Sequence, residues 1–438
     1  MKIFIETLGC PKNFNDSEGI AGICEKAGMT VIDSPYDADV IIVNTCGFIN
    51  DAKTESIDTI FSMAALERPL LIVSGCLSER YGRELAEEMP EVDVFMGVND
   101  YERLPEIIAE RKKLYSSPAP ACFEEFSARK LVENPYTATL RIAEGCNNCC
   151  AYCVIPQIRG GYRSRPMENI LAEAEVLAQA GTRELILIAQ DVTEYGRDLY
   201  GKLMLPELLR KLCAIGGDDP DKGFRWIRLM YCYEDKITDE LIEVMASEER
   251  ICKYIDIPLQ HISDNVLKGM RRRSTSSSIR GTIGRLRAAM PDIHIRTTFI
   301  TGFPDETEND FDELYDFAEE FRFERLGVFA YSQEEGTPSG DREDQVPEEI
   351  RAERADSIMR MQVDISRECN ASKVGKVFDV LVDGIDEDGA YIGRTMYDAP
   401  EIDNTVIFNS DSNLKPGDFV KVQIMDAFDY DLAGIEAR

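Results

Sequence analysis

The stretch ATLRIAEGCNNCCAYC, residues 138–153, joins an apolar strand pattern to three closely spaced cysteines. Its first six residues read as a β-strand, and Cys146, Cys150 and Cys153 lie in the loop that follows. Three thiolates from one short loop suit a cubane 4Fe–4S cluster whose fourth iron has no protein ligand. The alternatives are a structural zinc loop or unrelated buried thiols. Zinc usually takes a fourth Cys or His nearby, and the adjacent Cys149 would strain a tetrahedral site.

Around this loop, strand patterns alternate with helical patterns through the middle of the chain. The candidate strands are residues 138–143, 184–189, 225–231, 254–257, 294–300 and 326–331. Helical patterns lie between them, and a long charged helix is predicted over 347–370. Six consecutive βα units predict an open (βα)6 partial barrel, short of the eight units that close a full barrel.

The flanking segments predict two further domains in an α/β multidomain chain. Apolar runs such as DVIIVNTC (39–46) and PLLIVSGC (69–76) alternate with helical patterns, the first of them over 16–28, which predicts an N-terminal doubly wound parallel sheet. The last segment alternates at period two between Gly, Asn and Asp, as in a small antiparallel β-barrel. We expect domains at 1–125, 132–370 and 371–438.

The composition favours thiolate chemistry in a reducing compartment. The 438 residues include 13 cysteines but only two histidines, so a mixed Cys/His zinc site or a Ser/His/Asp triad has few candidates. No apolar run approaches the roughly 18–20 residues that cross a bilayer, and the chain opens directly on a strand pattern. We therefore expect a cytoplasmic protein with no membrane contact, in which disulfides are rare and clustered cysteines bind metal.

The charge balance opposes nucleic-acid binding. The chain carries 49 Lys and Arg residues against 81 Asp and Glu residues, a net charge of −32. Binding to nucleic acid needs a basic face that neutralises phosphates, whereas an acidic protein attracts basic partners. A local basic patch could still bind RNA, and an acidic surface can serve solubility alone.

A second group of cysteines lies in the N-terminal segment. Cys10, Cys46 and Cys76 are far apart in sequence, yet each one ends an apolar strand pattern. In a parallel sheet the carboxyl ends of the strands meet at one edge, where ligands bind. The topology therefore predicts that the three thiols converge. By this argument alone, a metal site and three buried thiols without a ligand remain equal alternatives.

The motifs of the chain resemble those of the radical S-adenosylmethionine superfamily, and within it the methylthiotransferases. The resemblance covers the whole chain and rests on LGCPKN (8–13), VNTCGFI (43–49), SGCLSERY (74–81) and the 146–153 loop. It implies a cluster on Cys146, Cys150 and Cys153 that cleaves S-adenosylmethionine to a 5′-deoxyadenosyl radical. It also implies a second 4Fe–4S cluster on the N-terminal trio, which presents sulfur to the substrate, and a terminal barrel of the TRAM type.

The details resemble the RimO-type branch, which acts on ribosomal protein, more than the MiaB-type branch, which acts on a tRNA adenosine. The motifs are residues 141–166, LIAQDVTEYGRD (187–198) and PLQHISDNVLKGMRRR (258–273). This resemblance implies that one S-adenosylmethionine methylates the sulfur, and a second yields the radical that takes hydrogen from an aspartate β-carbon of the twelfth small-subunit protein. Residues 371–438 hold 6 basic and 14 acidic residues, a charge of −8 that suits a basic ribosomal protein and makes tRNA an unfavoured partner.

Further site residues are expected at the ends of the barrel strands. The resemblance implies that Tyr152, beside the third cysteine, and Gln190, after the second strand, contact S-adenosylmethionine. Gly302, after the fifth strand, is expected either to let the ribose of the cofactor approach the backbone or simply to form a turn. The basic stretch Arg159–Arg165 either faces the cofactor or substrate, or pairs with nearby acids. His261 is expected to be a hydrogen-bonded structural residue.

The reaction requires partners that the sequence does not identify, namely a reducing electron donor and a sulfur donor. A third class, a metal or electron-transfer protein without catalysis, would fit if the protein did not cleave S-adenosylmethionine. Seven cysteines are expected to be unligated: Cys24, Cys122, Cys149, Cys213, Cys232, Cys252 and Cys369.

Overall fold

The computed structural model describes residues 1–66, 69–126, 128–131, 134–217, 219 and 222–437. Within these ranges it contains two six-stranded sheets, a closed five-stranded barrel and a two-stranded ribbon. The predicted domain limits at 132 and 438 lie outside the described residues. No helix in the described ranges is long and apolar enough to cross a membrane.

The N-terminal sheet is parallel throughout, because each strand returns through a crossover to the same direction. Its strand order is β2-β1-β3-β4-β5-β6. This order confirms the doubly wound fold predicted from the apolar runs. The strands are β1 Lys2–Thr7, β2 Thr30–Val31, β3 Val40–Thr45, β4 Leu70–Gly75, β5 Val94–Met96 and β6 Leu114–Tyr115. The helices are α1 Pro11–Lys26, α2 Asn50–Ala64, α3 Cys76–Glu88 and α4 Leu104–Glu110.

Helix α1 begins five residues earlier than the predicted helix at 16–28. Pro11 occupies its first turn, where the missing N–H costs nothing and the fixed φ favours a helix. Cys10 is its N-cap residue and stands directly between β1 and α1. The early start shortens the loop after β1 and holds Cys10 at the edge of the sheet.

The central domain is an open parallel sheet of six strands in the order β14-β13-β12-β11-β10-β7, as the six βα units predict. Its strands are β7 Thr137–Arg141, β10 Glu184–Ile188, β11 Trp226–Leu229, β12 Ile251–Gln260, β13 His294–Thr301 and β14 Arg325–Ala330, with the ribbon β8 Ala143–Glu144 and β9 Arg163–Ser164. Its helices are α5 Ile155–Arg159, α6 Met167–Gln179, α7 Arg197–Tyr200, α8 Leu205–Cys213, α9 Asp239–Ser247, α10 Asp264–Gly269, α11 Ser276–Ala289, α12 Glu308–Phe321 and α13 Glu348–Ala371.

The C-terminal strands close into a barrel in the order β15-β16-β17-β19-β18. Four of the pairings are antiparallel, and the pairing of β17 with β19 is parallel, because the chain crosses over the barrel between them. The strands are β15 Val377–Ile385, β16 Tyr391–Thr395, β17 Val406–Asn409, β18 Phe419–Ala427 and β19 Leu432–Glu436.

The C-terminal barrel packs on the face of the central sheet that the helices leave open. Leu185 and Leu187 of β10 belong to the core under the helices, whereas Ile186 packs with residues of the C-terminal barrel. The Trp226 and Phe419 rings meet edge to face at 4.8 Å across this junction. A buried ion-pair network of Glu184 with Arg228 and Arg394 joins the same two domains.

Candidate iron–sulfur sites

The N-terminal cysteines lie at one edge of the sheet. Cys10 follows β1, Cys46 follows β3 and Cys76 follows β4, and these three strands are neighbours that run in the same direction. Their carboxyl ends therefore meet, as the topology argument predicted. Each thiol lies within electrostatic reach of another, since the pKa of Cys46 is raised to about 11 by burial and also by the Cys76 and Cys10 thiolates.

Close backbone packing holds this edge together. Gly9 has φ +97°, and a Cβ atom added to it would lie 2.9 Å from the Cys46 Cβ atom and 3.2 Å from its sulfur. Only glycine fits here, because any side chain would enter the space of Cys46 and the backbone is left-handed. The loops after β1 and β3 can therefore approach each other this closely only because the residue before Cys10 is glycine.

A buried arginine of the central domain reaches the N-terminal thiols. Arg159 is 3% exposed and donates from Nη2 to Cys76 Sγ at 3.4 Å and to Asn13 Oδ1 at 3.1 Å. Its Nη1 donates to Asp16 Oδ2 at 2.7 Å, and Asp16 is fully buried. Burial raises the pKa of Cys76, while the Arg159 charge acts in the opposite direction. The guanidinium therefore favours the thiolate form at this position.

Each of the three sulfur atoms in the 146–153 loop lies within hydrogen-bonding distance of a polar group. The Asn148 backbone N–H donates to Cys146 Sγ at 3.5 Å, and the Ile155 N–H donates to Cys153 Sγ at 3.5 Å. Cys150 Sγ lies 3.5 Å from the Tyr233 hydroxyl. Backbone donors of this kind stabilise negative charge on sulfur and set the potential of a bound cluster.

The adjacent Cys149 differs from this trio in its exposure and its backbone conformation. It is exposed and has a positive φ of 52°, while Cys146 and Cys150 are buried. Burial raises the pKa of Cys146 to about 11 and raises that of Cys153 still further, with the neighbouring thiolates adding to both shifts. Ligation by iron would have to displace these protons, as it does for any thiol ligand.

The donor chemistry of both trios fits iron–sulfur clusters. Each consists of three thiols with no histidine or carboxylate, which matches a cubane that keeps one iron free of protein ligands. Across the described ranges, no three Cys, His, Asp or Glu side chains are arranged to hold a single metal ion. Cubane ligands bind separate iron atoms, so they need not converge on one point as the ligands of a zinc ion do.

The polar groups around the loop after β7 form two networks. Asp191 is fully buried and accepts hydrogen bonds from Asn148 Nδ2 at 2.8 Å and Lys236 Nζ at 2.6 Å. Gln190 donates from Nε2 to Glu144 Oε1 at 2.6 Å, and its own Oε1 is buried without a partner. The unpartnered oxygen is available to a ligand at this end of the sheet.

The other predicted residues lie at the same end of the sheet. The Tyr152 hydroxyl accepts a hydrogen bond from Arg272 Nη1 at 3.4 Å. Gly302 has φ +72°, donates its N–H to Glu306 Oε2 at 2.8 Å, and a Cβ atom added to it would lie 2.2 Å from Arg351 Cγ. A close approach to the backbone does occur at Gly302, and the group that makes it is Arg351.

The basic stretch divides between the two predicted alternatives. Arg163 donates to the backbone carbonyls of Gly161 and Arg159, and Arg165 pairs with Glu125 and with a second glutamate on α6, so both are structural. Arg159 alone reaches a candidate site.

His261 is fully buried and accepts a hydrogen bond from the Ser263 N–H at Nδ1, in agreement with a structural role.

Residues that the sequence reasoning missed also contact the candidate sites. Lys12 places its ammonium 3.9 Å from the Tyr231 ring centroid and 3.5 Å from the Ala189 carbonyl oxygen, so it joins the Cys10 loop to the central sheet. Lys12 directly follows the CP pair after β1, and Tyr233 lies in YCYED at the end of β11. Their positions just beyond strand ends were the signal that could have identified them.

The remaining cysteines stand apart from these contacts. Burial raises the pKa of Cys24, Cys213 and Cys252 to about 12, which is the behaviour of inert core thiols. Cys232 is also fully buried, Cys122 is exposed and Cys369 is half-buried on α13.

Three family descriptions match the chain in the order of its domains. Residues 2–97 match the Uncharacterized protein family UPF0004, residues 140–318 match the radical SAM superfamily, and residues 374–435 match the TRAM domain. The match to the radical SAM superfamily includes the 146–153 loop, and the first match includes all three N-terminal cysteines.

Several solved structures share the fold at low identity. TsrM from Kitasatospora setae, a radical S-adenosylmethionine methyltransferase, superposes with a TM-score of 0.56 at 14% identity, over 77% of this chain and 73% of its own. The cobalamin-dependent radical enzyme OxsB gives a TM-score of 0.51 at 14% identity, over 83% of this chain and 56% of its own. At these identities the likeness concerns the fold alone.

Sequence relatives are much closer. The ribosomal protein uS12 methylthiotransferase RimO of Clostridioides difficile is 47% identical over 442 residues, which cover 99% of this chain and 98% of the relative. The protein of the same name from Caldanaerobacter subterraneus subsp. tengcongensis is 49% identical over 438 residues, 98% of both. With this identity along nearly the whole chain, and with the three domains in matching order, the chain belongs to the ribosomal protein uS12 methylthiotransferase family of radical SAM enzymes.

Proposed function

We propose that this protein transfers a methylthio group to the β-carbon of an aspartate in ribosomal protein uS12. S-adenosylmethionine serves both as methyl donor and as radical source. The observation that carries the proposal is the 47–49% identity to uS12 methylthiotransferases over 98–99% of the chain. An aspartate β C–H bond is not acidic enough for ordinary base catalysis at neutral pH, which is why a radical route fits this substrate.

Two iron–sulfur clusters form part of the proposal. Cys146, Cys150 and Cys153 would hold one cluster, and the N-terminal trio Cys10, Cys46 and Cys76 would hold the other. When bound, the first cluster supplies the electron that cleaves S-adenosylmethionine, and the second carries the sulfur that is transferred. The all-thiol donor sets and the convergence of the N-terminal strand ends support both assignments.

The residues proposed to contact S-adenosylmethionine are Tyr152, Gln190 and Gly302. The buried, unpartnered Oε1 of Gln190 supports its role as an acceptor for the cofactor. Tyr152 lies inside the cysteine loop, next to Cys153, where the cofactor would meet the open iron. The proposal for Gly302 rests on its position at the end of β13, because its N–H is already bonded to Glu306.

Contacts within the chain that link the two groups of cysteines support both cluster assignments. Arg159 ends α5, the helix that follows the 146–153 loop, and contacts Cys76 of the N-terminal domain. Lys12, two residues after Cys10, contacts the ends of β10 and β11 through Ala189 and Tyr231. These contacts support the proposal that the N-terminal trio faces the same end of the central sheet as the 146–153 loop.

The tRNA-acting alternative is not favoured, because the relatives that match over the full length are named for uS12. The charge of −32 agrees with this outcome, since a basic ribosomal protein complements it. We further propose a cytoplasmic location, a reducing electron donor and a sulfur donor as partners. We also propose that the three domains span residues 1–125, 132–370 and 371–438.

Mass spectrometry of uS12 tests the proposed substrate. Cells that lack this protein should contain uS12 without the methylthio group on its aspartate, and expression of the wild-type chain should restore it. Expression of a Cys146→Ala variant is the matched control and should not restore it. A methylthio group that persists in the deletion strain would contradict the substrate assignment.

Iron and sulfide analysis tests the number of clusters. Anaerobically prepared wild-type protein should contain about eight of each per chain, as two cubanes require. The Cys10→Ala/Cys46→Ala/Cys76→Ala variant should contain about four of each and should still cleave S-adenosylmethionine. About four of each in the wild type, under full reconstitution, would remove the N-terminal cluster from the proposal.

A further inference from the structure

A cleft of about 460 Å³ opens where the three domains meet. The N-terminal domain lines it with β1, β2 and the first turns of α1, and the central domain lines it with β7, β10 and the residue after β11. The C-terminal domain closes one side with residues 399–402. Its volume is in the range of sites that take several side chains of a peptide or a small ligand.

The floor of the cleft is apolar and reaches the edge that carries Cys10. Phe4, Phe14, Ile186 and Met230 are among the apolar side chains that line it. Thr7 and Pro11, which also line the cleft, bracket Cys10 in the chain at the end of β1. A segment lying in the cleft would therefore extend to the proposed sulfur-holding site.

The polar lining of the cleft is acidic. Glu6 and Asp33 of the N-terminal domain and Glu401 of the C-terminal domain contribute carboxylates. Glu18 adds a fourth carboxylate, which is paired with Arg129. Among the described residues that line the cleft there is no Lys or Arg. The cleft thus has the charge that attracts a cationic segment and repels a polyanion.

The loop that presents Glu401 is held rigidly. The Asp403 carboxylate accepts hydrogen bonds from the Tyr254 hydroxyl at 2.7 Å and from the Ala399 N–H at 2.9 Å. Glu401 itself has a positive φ of 67°, a conformation that costs energy for a non-glycine residue and persists only where the surroundings impose it. Ile402 beside it is 47% exposed. Both Glu401 and Ile402 are exposed and line the cleft, so this constrained loop presents them to whatever lies in it.

We propose that this three-domain cleft is the docking site for the segment of the ribosomal-protein substrate that carries the modified aspartate. This inference rests on the proposed function. The segment would place Lys or Arg side chains against Glu6, Asp33 and Glu401 and an apolar side chain on the floor, with the aspartate at the Cys10 end. Ribosomal proteins carry such basic segments because they bind rRNA phosphates, so the charge complementarity selects this occupant over tRNA.

Binding of uS12 to the reconstituted holoenzyme tests the assignment without relying on turnover. Titrations would use free uS12 and isolated small ribosomal subunits, at low and at physiological salt. Glu401→Lys should weaken the tighter of the two interactions about tenfold or more, with the larger effect at low salt. Glu387→Lys is the matched control, because Glu387 is an exposed acid in the same barrel and outside the cleft. It should leave the dissociation constant within about twofold.

Photocrosslinking gives a second readout that does not depend on a charge change. p-Benzoylphenylalanine in place of Ile402 should crosslink to uS12, whereas the same group in place of the exposed Ile385, on the same barrel, should not. Crosslinked peptides identified by mass spectrometry should contain or adjoin the modified aspartate.

Several outcomes would overturn the docking proposal. Equal weakening by Glu401→Lys and Glu387→Lys would show that binding depends on the overall negative charge of the protein and not on the cleft. Unchanged affinity in Glu401→Lys, or crosslinking at 385 alone, would place the substrate elsewhere while the proposed function stands. Absence of binding by the wild type to either form of uS12 would also reject the cleft. Tighter binding of tRNA than of uS12 by the wild type would instead contradict the proposed function itself.

Discussion

Glu184 lies at the centre of a buried ion-pair network that joins the central sheet to the C-terminal barrel. It is fully buried and accepts hydrogen bonds from Arg228 Nε and Arg394 Nη1, both at 2.8 Å. Arg228 is also fully buried, and Arg394 comes from a strand 210 residues further along the chain. The Glu184→Gln substitution keeps the shape of the side chain and removes the charge that compensates both guanidinium groups.

Removing one partner of a buried pair costs about 3–5 kcal/mol, because the remaining charge stays desolvated. Arg394 keeps a second carboxylate, Asp383 Oδ2 at 2.8 Å, so the lower half of this range, about 3 kcal/mol, is expected. For a cooperative unit of 150–250 residues this corresponds to a fall in Tm of about 6–12 °C. The carboxyl end of the chain should become more sensitive to protease, since Arg394 belongs to the C-terminal barrel.

Differential scanning calorimetry and limited proteolysis of wild type and Glu184→Gln measure this effect. The two guanidinium groups hold the pKa of Glu184 below its usual value, despite its burial. A carboxylate with a lowered folded-state pKa stabilises the fold above its unfolded pKa of about 4.3, and this contribution is lost as the pH falls through the folded-state value. The difference between wild type and variant should therefore be full at pH 7 and should shrink below about pH 4.

Glu207→Gln is the matched control for this prediction. Glu207 pairs with Lys211 at 3.3 Å, but the two side chains are 43% and 49% exposed, so the loss should stay within about 0.5 kcal/mol. Equal Tm values for Glu184→Gln and Glu207→Gln at pH 7 would refute the reasoning, as would a difference that does not depend on pH.

Three further predictions concern single side chains. Arg159→Met should shift the potential of the proposed N-terminal cluster to lower values in an EPR-monitored titration, because it removes a positive charge and an N–H donor at Cys76. Gly9→Ala should lower the iron content toward about four per chain, because its Cβ would enter the space of Cys46. His294 should show no imidazole titration by NMR between pH 5 and 8, since burial lowers its pKa to about 3. Its contribution should make the fold less stable as pH falls from about 6.5 toward 3.

Matched variants distinguish these effects from simple loss of stability. Arg129→Met also breaks partly buried ion pairs, with Glu18 and Glu173, but touches no thiol, so it should leave the potential unchanged. Gly28→Ala places alanine at a similar positive φ with open space around its Cβ, so it should keep the iron content. An equal loss of iron in both glycine variants, or an imidazole of His294 that titrates near pH 6.5, would contradict the corresponding prediction.

The local patterns of the sequence determined much of the architecture. The period of the apolar residues distinguished two parallel sheets from a small barrel, because buried strands on helical crossovers lack the alternation of half-exposed strands. The cysteine loop could also be identified from spacing alone, since eight residues of chain keep Cys146, Cys150 and Cys153 close whatever the rest of the protein does. The start of α1 at Pro11 was missed, although proline at a first helical turn is itself a sequence signal.

Only the tertiary structure decided which distant groups meet around these local features. No spacing in the sequence relates Arg159 to Cys76, Lys12 to Tyr231, or Glu184 to Arg394. The parallel pairing of β17 with β19 and the closure of the cleft by residues 399–402 likewise depend on the path of the chain between the elements. Backbone geometry limits where a residue a few positions away can lie, but residues more than a hundred positions apart meet only through the packing of whole domains.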